Sequence, residues 1–200
     1  SNKNRGNVLS IYMVVLYGSM AVGMFFLNFS SPLNFQPFIL VSLFMSLSLI
    51  PILLTKRKAP NFKKITGMSL KELYKISPLG MVGSLIYGTT QSALFSLLAV
   101  YAASMNFTIF EISIVTFLLA ISGAIAQWPI GKLSDNFDRR LVIIYTTFGA
   151  SFFAFCSIIA GGQMYMPGDL ATTKYWFYLC VVLFSFCSLP MFAIIFAHTN

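Results

Sequence analysis

Six long runs without a charged residue, spread along 200 positions, constrain this chain more than any other feature of it. They extend from Val8 to Phe29, Phe38 to Leu54, Leu79 to Ala103, Ile112 to Ile130, Leu141 to Gly161 and Tyr175 to Ala197, and are called spans A to F below. A helix needs roughly 20 apolar residues to cross a hydrocarbon layer about 30 Å thick. Inside that layer no water satisfies backbone N–H and C=O groups, so runs of this length predict helices that satisfy themselves. The composition agrees, because 58% of residues are hydrophobic and only 9% are charged, outside the usual soluble range. Span A lacks the small-residue cleavage site of a signal peptide and five further spans follow it, so it reads as a membrane helix. The expected fold class is therefore an all-α multi-pass membrane protein with six transmembrane helices.

The charges then set the orientation. Twelve of the 13 basic residues lie in alternate connections: Lys3 and Arg5 before span A, Lys56 to Lys75 between B and C, and Lys132, Arg139 and Arg140 between D and E. The other connections hold only Lys174. By the positive-inside rule both ends of the chain are cytoplasmic. The net charge of +8 is then a topology signal, with no nucleic-acid partner implied. Cys156, Cys180 and Cys187 all fall inside spans without metal-ligand spacing, so they read as packing thiols and no cofactor or metal is expected. The expected partners are the lipid bilayer and a small-molecule solute, and the simplest oligomeric state is a monomer. The chain begins with Ser and stops three residues after span F, which reads as a piece of a longer protein.

The segment from Thr55 to Ser77 is the longest outside the spans. It divides the chain into residues 1–54, a basic linker at 55–78, and residues 79–200. Within the linker Ser69 and Glu72 have capping-box spacing, and Leu70, Leu73 and Tyr74 follow at helical intervals, predicting a short helix at the lipid surface. Ser77 and Pro78 read as the cap and first turn of span C. Thr108 and Glu111 repeat the capping spacing at the start of span D. Tyr175 and Trp176 read as an aromatic belt at the outer end of span F.

Along span C, Gly80, Ser84, Tyr87, Gly88 and Gln91 fall within an arc of about 100°, with Gln91 at mid-depth. Two readings stand side by side: a polar face lining a solute path, or a small-residue stripe against which another helix packs, with Gln91 bonding across. Span A carries Ser19 and Gly23 at small-xxx-small spacing, the pattern of an interface helix. In span F, Pro190 removes a backbone donor and kinks the helix, with Ser185 and Ser188 available to the freed carbonyls. All five acidic residues lie in connections or at span edges, so no coupling carboxylate is expected at mid-depth. His198, at the cytoplasmic end of span F, reads as a solvated helix terminus.

The decapeptide GKLSDNFDRR at 131–140 packs five charges into a largely uncharged chain. Gly131 permits close approach, Asp135 accepts from free N–H groups at a helix start, and Arg139 and Arg140 pair with carboxylates or phosphates. Gly131, Leu133, Ser134, Asp135, Arg139 and Arg140 resemble the cytoplasmic G-x-L-[AS]-D-[RK]-x-G-[RK]-[RK] motif of major facilitator superfamily transporters, with Asn136 and Asp138 departing from the pattern. The segments NRGNVLSIYM, ELYKISPLG, AQWPIGKLSD and AHTN resemble a poorly characterised bacterial branch of that family.

The resemblance implies helices five to ten of a twelve-helix fold. C and F would line the cavity, A and D would meet at the interface between halves, and B and E would lie outside. It implies a bacterial inner-membrane secondary transporter of a small solute working by alternating access. The solute-path candidates are Ser84, Tyr87, Gln91, Tyr178 and Ser185, and the cytoplasmic gating residues are Gly131, Asp135, Arg139, Arg140 and Arg5. Span A lacks the Gly-Pro pair typical of antiporter members. A permease subunit of an ATP-driven pump is the alternative, and would need a separate ATPase because the chain has no P-loop. A membrane-embedded enzyme is a weaker one, since no span clusters His, Asp or Glu. In whole cells, a cysteine introduced as Asn106→Cys should label with an impermeant thiol reagent, whereas Asp138→Cys should label only in inverted vesicles; the opposite pattern reverses the topology.

Overall fold

Small residues decide which helix sits in the middle. The computed structural model describes residues 3–28, 34–55, 69–163 and 170–198, without the side chains of residues 3–10, 27, 163, 170–171 and 196–198. Its helices are α1 (Lys3–Phe25, followed by a 3-10 turn at Phe26–Asn28), α2 (Gln36–Leu54), α3 (Leu70–Ile76), α4 (Pro78–Ser104), α5 (Ile109–Asn136), α6 (Arg139–Gln163), α7 (Leu170–Ser188) and α8 (Met191–His198). Among the described residues five segments are long and apolar enough to cross a membrane, and α1 contributes a sixth, shorter apolar stretch at Ile11–Phe25. Among the described residues the regular structure is entirely helical, and the protein is a multi-pass membrane protein.

Helix α5 is the hub. Ser113, Ala120, Ser122, Gly123, Ala124 and Ala126 are all buried along it, and side chains this small let neighbouring backbones come close, the main source of helix attraction where lipid tails match side chains in polarity. α5 packs along α1 and α7 and also touches α4, α6 and α8. A methyl group built on Gly123 would overlap the Leu189 side chain, so Gly123 admits the bend between α7 and α8. On its other flank α5 packs along α1, whose buried stripe is Met13, Tyr17 and Ala21. Ser19 and Gly23 do not form this interface: both are exposed and space around Gly23 is open. The buried row of α1 is Met13, Tyr17 and Ala21, on a different face of the helix.

The turn from α4 into α5 is dictated locally. Asn106 takes φ 60°, a left-handed conformation that Asn tolerates. Phe107 N–H then reaches the Ala102 carbonyl at 3.2 Å and Asn106 N–H reaches Ala103 at 3.1 Å, a Schellman termination. Two residues on, Thr108 caps α5: its Oγ1 accepts from Glu111 N–H, and Glu111 Oε2 accepts from Thr108 N–H at 2.8 Å. This hairpin places the start of α4 and the end of α5 on the same side. Contacts at that side agree, because Ile195 of α8 lies against Gly83 while Ile194 packs with Ile130.

The expected capping geometry recurs at α3, where Ser69 N–H donates to Glu72 Oε2 at 3.0 Å, and at α4, where Ser77 Oγ accepts from Gly80 N–H at 3.2 Å. The linker residues 56–68 lie outside the described residues. α2 has no buried residue, and its ring contact runs from Phe44 to Phe26 at 5.4 Å. Gly123→Ala should destabilise the protein by about 1–3 kcal/mol, the usual magnitude for overpacking, and pairing it with Leu189→Ala should recover part of that loss. Thermal unfolding in detergent checks both; additive losses would separate the two positions.

Candidate functional site

Span F is not one helix. Pro190 has no N–H to give the Phe186 carbonyl, and α7 stops at Ser188, with a turn at Leu189–Pro190 before α8 begins. A break at this depth exposes backbone groups that lipid cannot satisfy, and side chains from α4 meet it. Tyr87 Oη donates to the Leu189 carbonyl at 3.1 Å. Gln91 Nε2 donates to Ser188 Oγ at 2.9 Å. Since the single Tyr87 proton is spent on Leu189, the 3.1 Å contact between Tyr87 and Tyr17 is made with Tyr17 as donor. The Tyr87 ring also lies 5.6 Å from Phe192. One network therefore ties α1, α4, α7 and α8 together around the break.

The serines serve other partners than the sequence implied. Ser185 is buried and donates to the Leu119 carbonyl of α5, so it locks α7 to the hub and leaves its own helix's carbonyls alone. Ser122 returns the contact, donating to the Val182 carbonyl at 2.8 Å. The small-residue stripe of α4 is not a continuous packing face either. Gly80 is buried, but Gly88, Ser92 and Ser96 are exposed, because a four-residue step turns about 40° per repeat and α8 covers only the start of α4.

Of the five solute-path candidates, the fold brings Tyr87 and Gln91 together at the break. Ser84 is half-buried one turn below. Tyr178 stacks edge-on against Phe107 at 6.0 Å, towards the far end of α7, and Ser185 faces α5. Gln91 is 8% exposed and its Oε1 has no hydrogen-bond partner; Gln127 of α5 is 2% exposed and its Nε2 has none. Gln127 sits one turn from Gly123, which meets Leu189. Sequence reasoning passed over Tyr17, Ser122 and Gln127. A glutamine inside an apolar run is itself a signal and could have flagged Gln127; Tyr17 had no local signature.

The decapeptide at 131–140 is mostly helix. α5 continues to Asn136 and α6 starts at Arg139, leaving Phe137 and Asp138 as the connection. Asp138 Oδ1 accepts from Arg140 N–H at 3.0 Å, so the local cap of α6 belongs to Asp138. Space around Gly131 is open, and it makes no close approach. Asp135 is exposed in the last turn of α5, where its charge opposes the helix dipole. Lys132, three residues before it, sits 4.3 Å from the Trp128 ring centre. The side chains of Arg5 and His198 lie outside the described residues.

At the opposite end, Lys174 Nζ meets Glu111 Oε1 at 2.5 Å and lies 5.0 Å from the centre of the Phe107 ring. This pair joins the N-terminal ends of α5 and α7. Glu111 is thus both a cap and an ion-pair partner at the edge of its span, while Tyr175 and Trp176 are exposed beside it. Among the described residues, no group of three or more His, Cys, Asp or Glu could hold a metal ion.

The comparisons with known proteins bear on what this arrangement is. The family model of the Major Facilitator Superfamily matches residues 1–200. The uncharacterized MFS-type transporter YcaD of Escherichia fergusonii is 26% identical over 147 residues, covering 72% of this chain and 38% of that protein. The uncharacterized MFS-type transporter YE1530 of Yersinia enterocolitica is 28% identical over 142 residues, covering 70% of this chain and 37% of the relative. The chain therefore spans well under half the length of these relatives. No solved structure matches. With the family model matching along residues 1–200, the chain belongs to the Major Facilitator Superfamily.

Proposed function

We propose that the protein is a secondary transporter that moves a small solute by alternating access, with the path running along Ser84, Tyr87 and Gln91 of α4 past the break between α7 and α8. The observation that carries this is the Gln91 carboxamide, buried at the midpoint of α4 with one atom bonded to Ser188 and the other without a partner. An unspent polar atom at the middle of a membrane helix is costly, and a solute passing the break offers it a partner. Two half-helices meeting at mid-depth are a recurrent way for transporters to present backbone groups to cargo. In this reading α1 and α2 complete one half of the transporter and residues 79–200 open the other, as the interface between α1 and α5 implies.

The motif end supplies the gate. Phe25 of α1 and Phe117 of α5 are in ring contact at 4.7 Å. Counting from there at 1.5 Å per residue, Arg5 lies about 30 Å along α1 and Asp135 about 27 Å along α5, so with the helices antiparallel the two reach similar depth. The start of α1 offers free N–H groups and a positive dipole end, the complement that Asp135 lacks on its own helix. We assign this end to the cytoplasm by its basic residues, and the contact to the state that is closed inside.

Two measurements test the reading. Gln91→Ala in the full-length protein should lower solute uptake by about tenfold, the usual scale for losing a buried hydrogen-bond partner, with insertion unchanged; normal uptake kinetics would remove Gln91 from the path. Asp135→Asn should raise cysteine labelling of the cavity from the cytoplasmic side by a few-fold and slow the cycle, and unchanged labelling from both sides would eliminate the gating role.

A further inference from the structure

Two helices that hardly touch are joined by the tips of two side chains. α1 packs along α5 and touches α8, but its backbone scarcely approaches that of α4. The space between them is crossed by Tyr17 and Tyr87, whose hydroxyl oxygens lie 3.1 Å apart. At 1.5 Å per residue Tyr87 stands about 14 Å from the start of α4 and Tyr17 about 21 Å from the start of α1, well inside a hydrocarbon layer about 30 Å thick. The bond is unequal in its consequences. Tyr87 holds its own proton on the Leu189 carbonyl and receives that of Tyr17, so parting the pair leaves Tyr87 fixed to the break and strips only Tyr17 of its acceptor. Other contacts keep α4 with α8: Phe192 lies 5.6 Å from the Tyr87 ring, and Ile195 lies against Gly83. α1 is held to α5, with Phe25 and Phe117 in ring contact at 4.7 Å. The tyrosine pair thus bonds an α4 and α8 unit to an α1 and α5 unit.

We propose that the Tyr17–Tyr87 bond is a releasable tie: it shuts the path between α1 and α4 at mid-depth, and it parts in each cycle as α4 and α8 move away from α1 and α5. This tie presupposes the transport reading and adds to it the place where the path closes, with Tyr17 as a positioning residue outside the solute-path set. A bond between two neutral hydroxyls belongs to the weaker class of hydrogen bonds and is suited to breaking. Ser122 and Ser185 contrast with it, because they bond backbone carbonyls across the closely packed α5 and α7, where nothing has to move. Release has a condition. Tyr17, 6% exposed, then needs another acceptor, and lipid offers none. Water or a hydrogen-bonding solute entering between the helices supplies one, so the tie favours opening on an occupied path and closing on an empty one. A static brace between α1 and α4 is the competing role.

Accessibility tests this without an identified solute. Ser84 lies one turn closer than Tyr87 to the start of α4. It is replaced as Ser84→Cys in the full-length protein, and an impermeant thiol reagent is added from the face opposite the start of α4, the outside by the assignment above. Labelling is counted above that of the same protein without the new cysteine. Tyr17→Phe, which removes one hydroxyl and keeps the ring, should raise that labelling about fivefold, the weight of one ordinary hydrogen bond on a balanced equilibrium. Tyr87→Phe should raise it too, and the double variant no further than the larger single effect, because both substitutions break the same bond. Tyr87→Phe decides the matter if Tyr17→Phe does not fold. A static brace predicts a lowered melting temperature with labelling unchanged, and that result in the folded variants would overturn the proposal, as would a double variant whose rise is the product of the two single ones. Unchanged labelling in a protein that transports removes this inference alone, whereas raised labelling in a protein that moves no solute leaves the tie as a conformational contact and removes only the transport reading.

Discussion

A proline in the middle of a membrane span has to be answered by other helices. Pro190 withdraws one donor and interrupts α7, and the surrounding medium supplies no water to replace it. Much of the described architecture follows from that. Tyr87 and Gln91 of α4 turn towards the break and bond its residues, Tyr17 of α1 supports Tyr87, and Gly123 of α5 clears space for Leu189. Replace the proline by a residue that continues the helix, and these four positions lose their shared reason.

The second constraint is the small-residue surface of α5. A hub that contacts helices on several sides cannot carry bulky side chains on all of them, and in lipid close backbone approach is what attraction depends on. Ser122 and Ser185 exploit that proximity by donating across to backbone carbonyls of the facing helix, α5 to α7 and α7 to α5. Such bonds are modest individually, yet they fix register between two helices whose apolar surfaces alone would slide. The polar groups of the protein's interior are therefore sorted: the serines hold α5 to α7, and the glutamine and tyrosines hold α4 to the break.

Both ends of the bundle are finished by charge. At one, Glu111 closes the cap of α5 and pairs with Lys174. At the other, Asp138 caps α6 and Asp135 is left on the unfavourable end of its own helix dipole. Residues that oppose a local rule without local compensation are where an outside partner is to be sought, and this separates Asp135 from the other acidic groups of the described chain.

The sequence by itself determined the helices, their approximate limits, the caps at Ser69, Ser77 and Thr108, and the family, because each depends on apolar length, on neighbours three or four residues away, or on a short motif. It also pointed to Gln91 and Pro190, since a polar or helix-breaking residue in an apolar run is conspicuous by its surroundings. It left the α4 face open between two readings, singled out Ser19 and Gly23 where α1 buries Met13, Tyr17 and Ala21, and drew the 131–140 connection longer than it is. Spacing shows which residues share a face but not which face meets a neighbour, and a motif's charges do not mark where a helix ends. Only the tertiary structure decided that Tyr17 supports Tyr87, that Ser185 serves α5, that Lys174 finds Glu111, and that Gln91 and Gln127 each keep an unpaired atom. These are contacts between residues dozens of positions apart, whose partners are chosen by how α1, α4 and α7 pack around α5 and leave no trace in the local order of the chain.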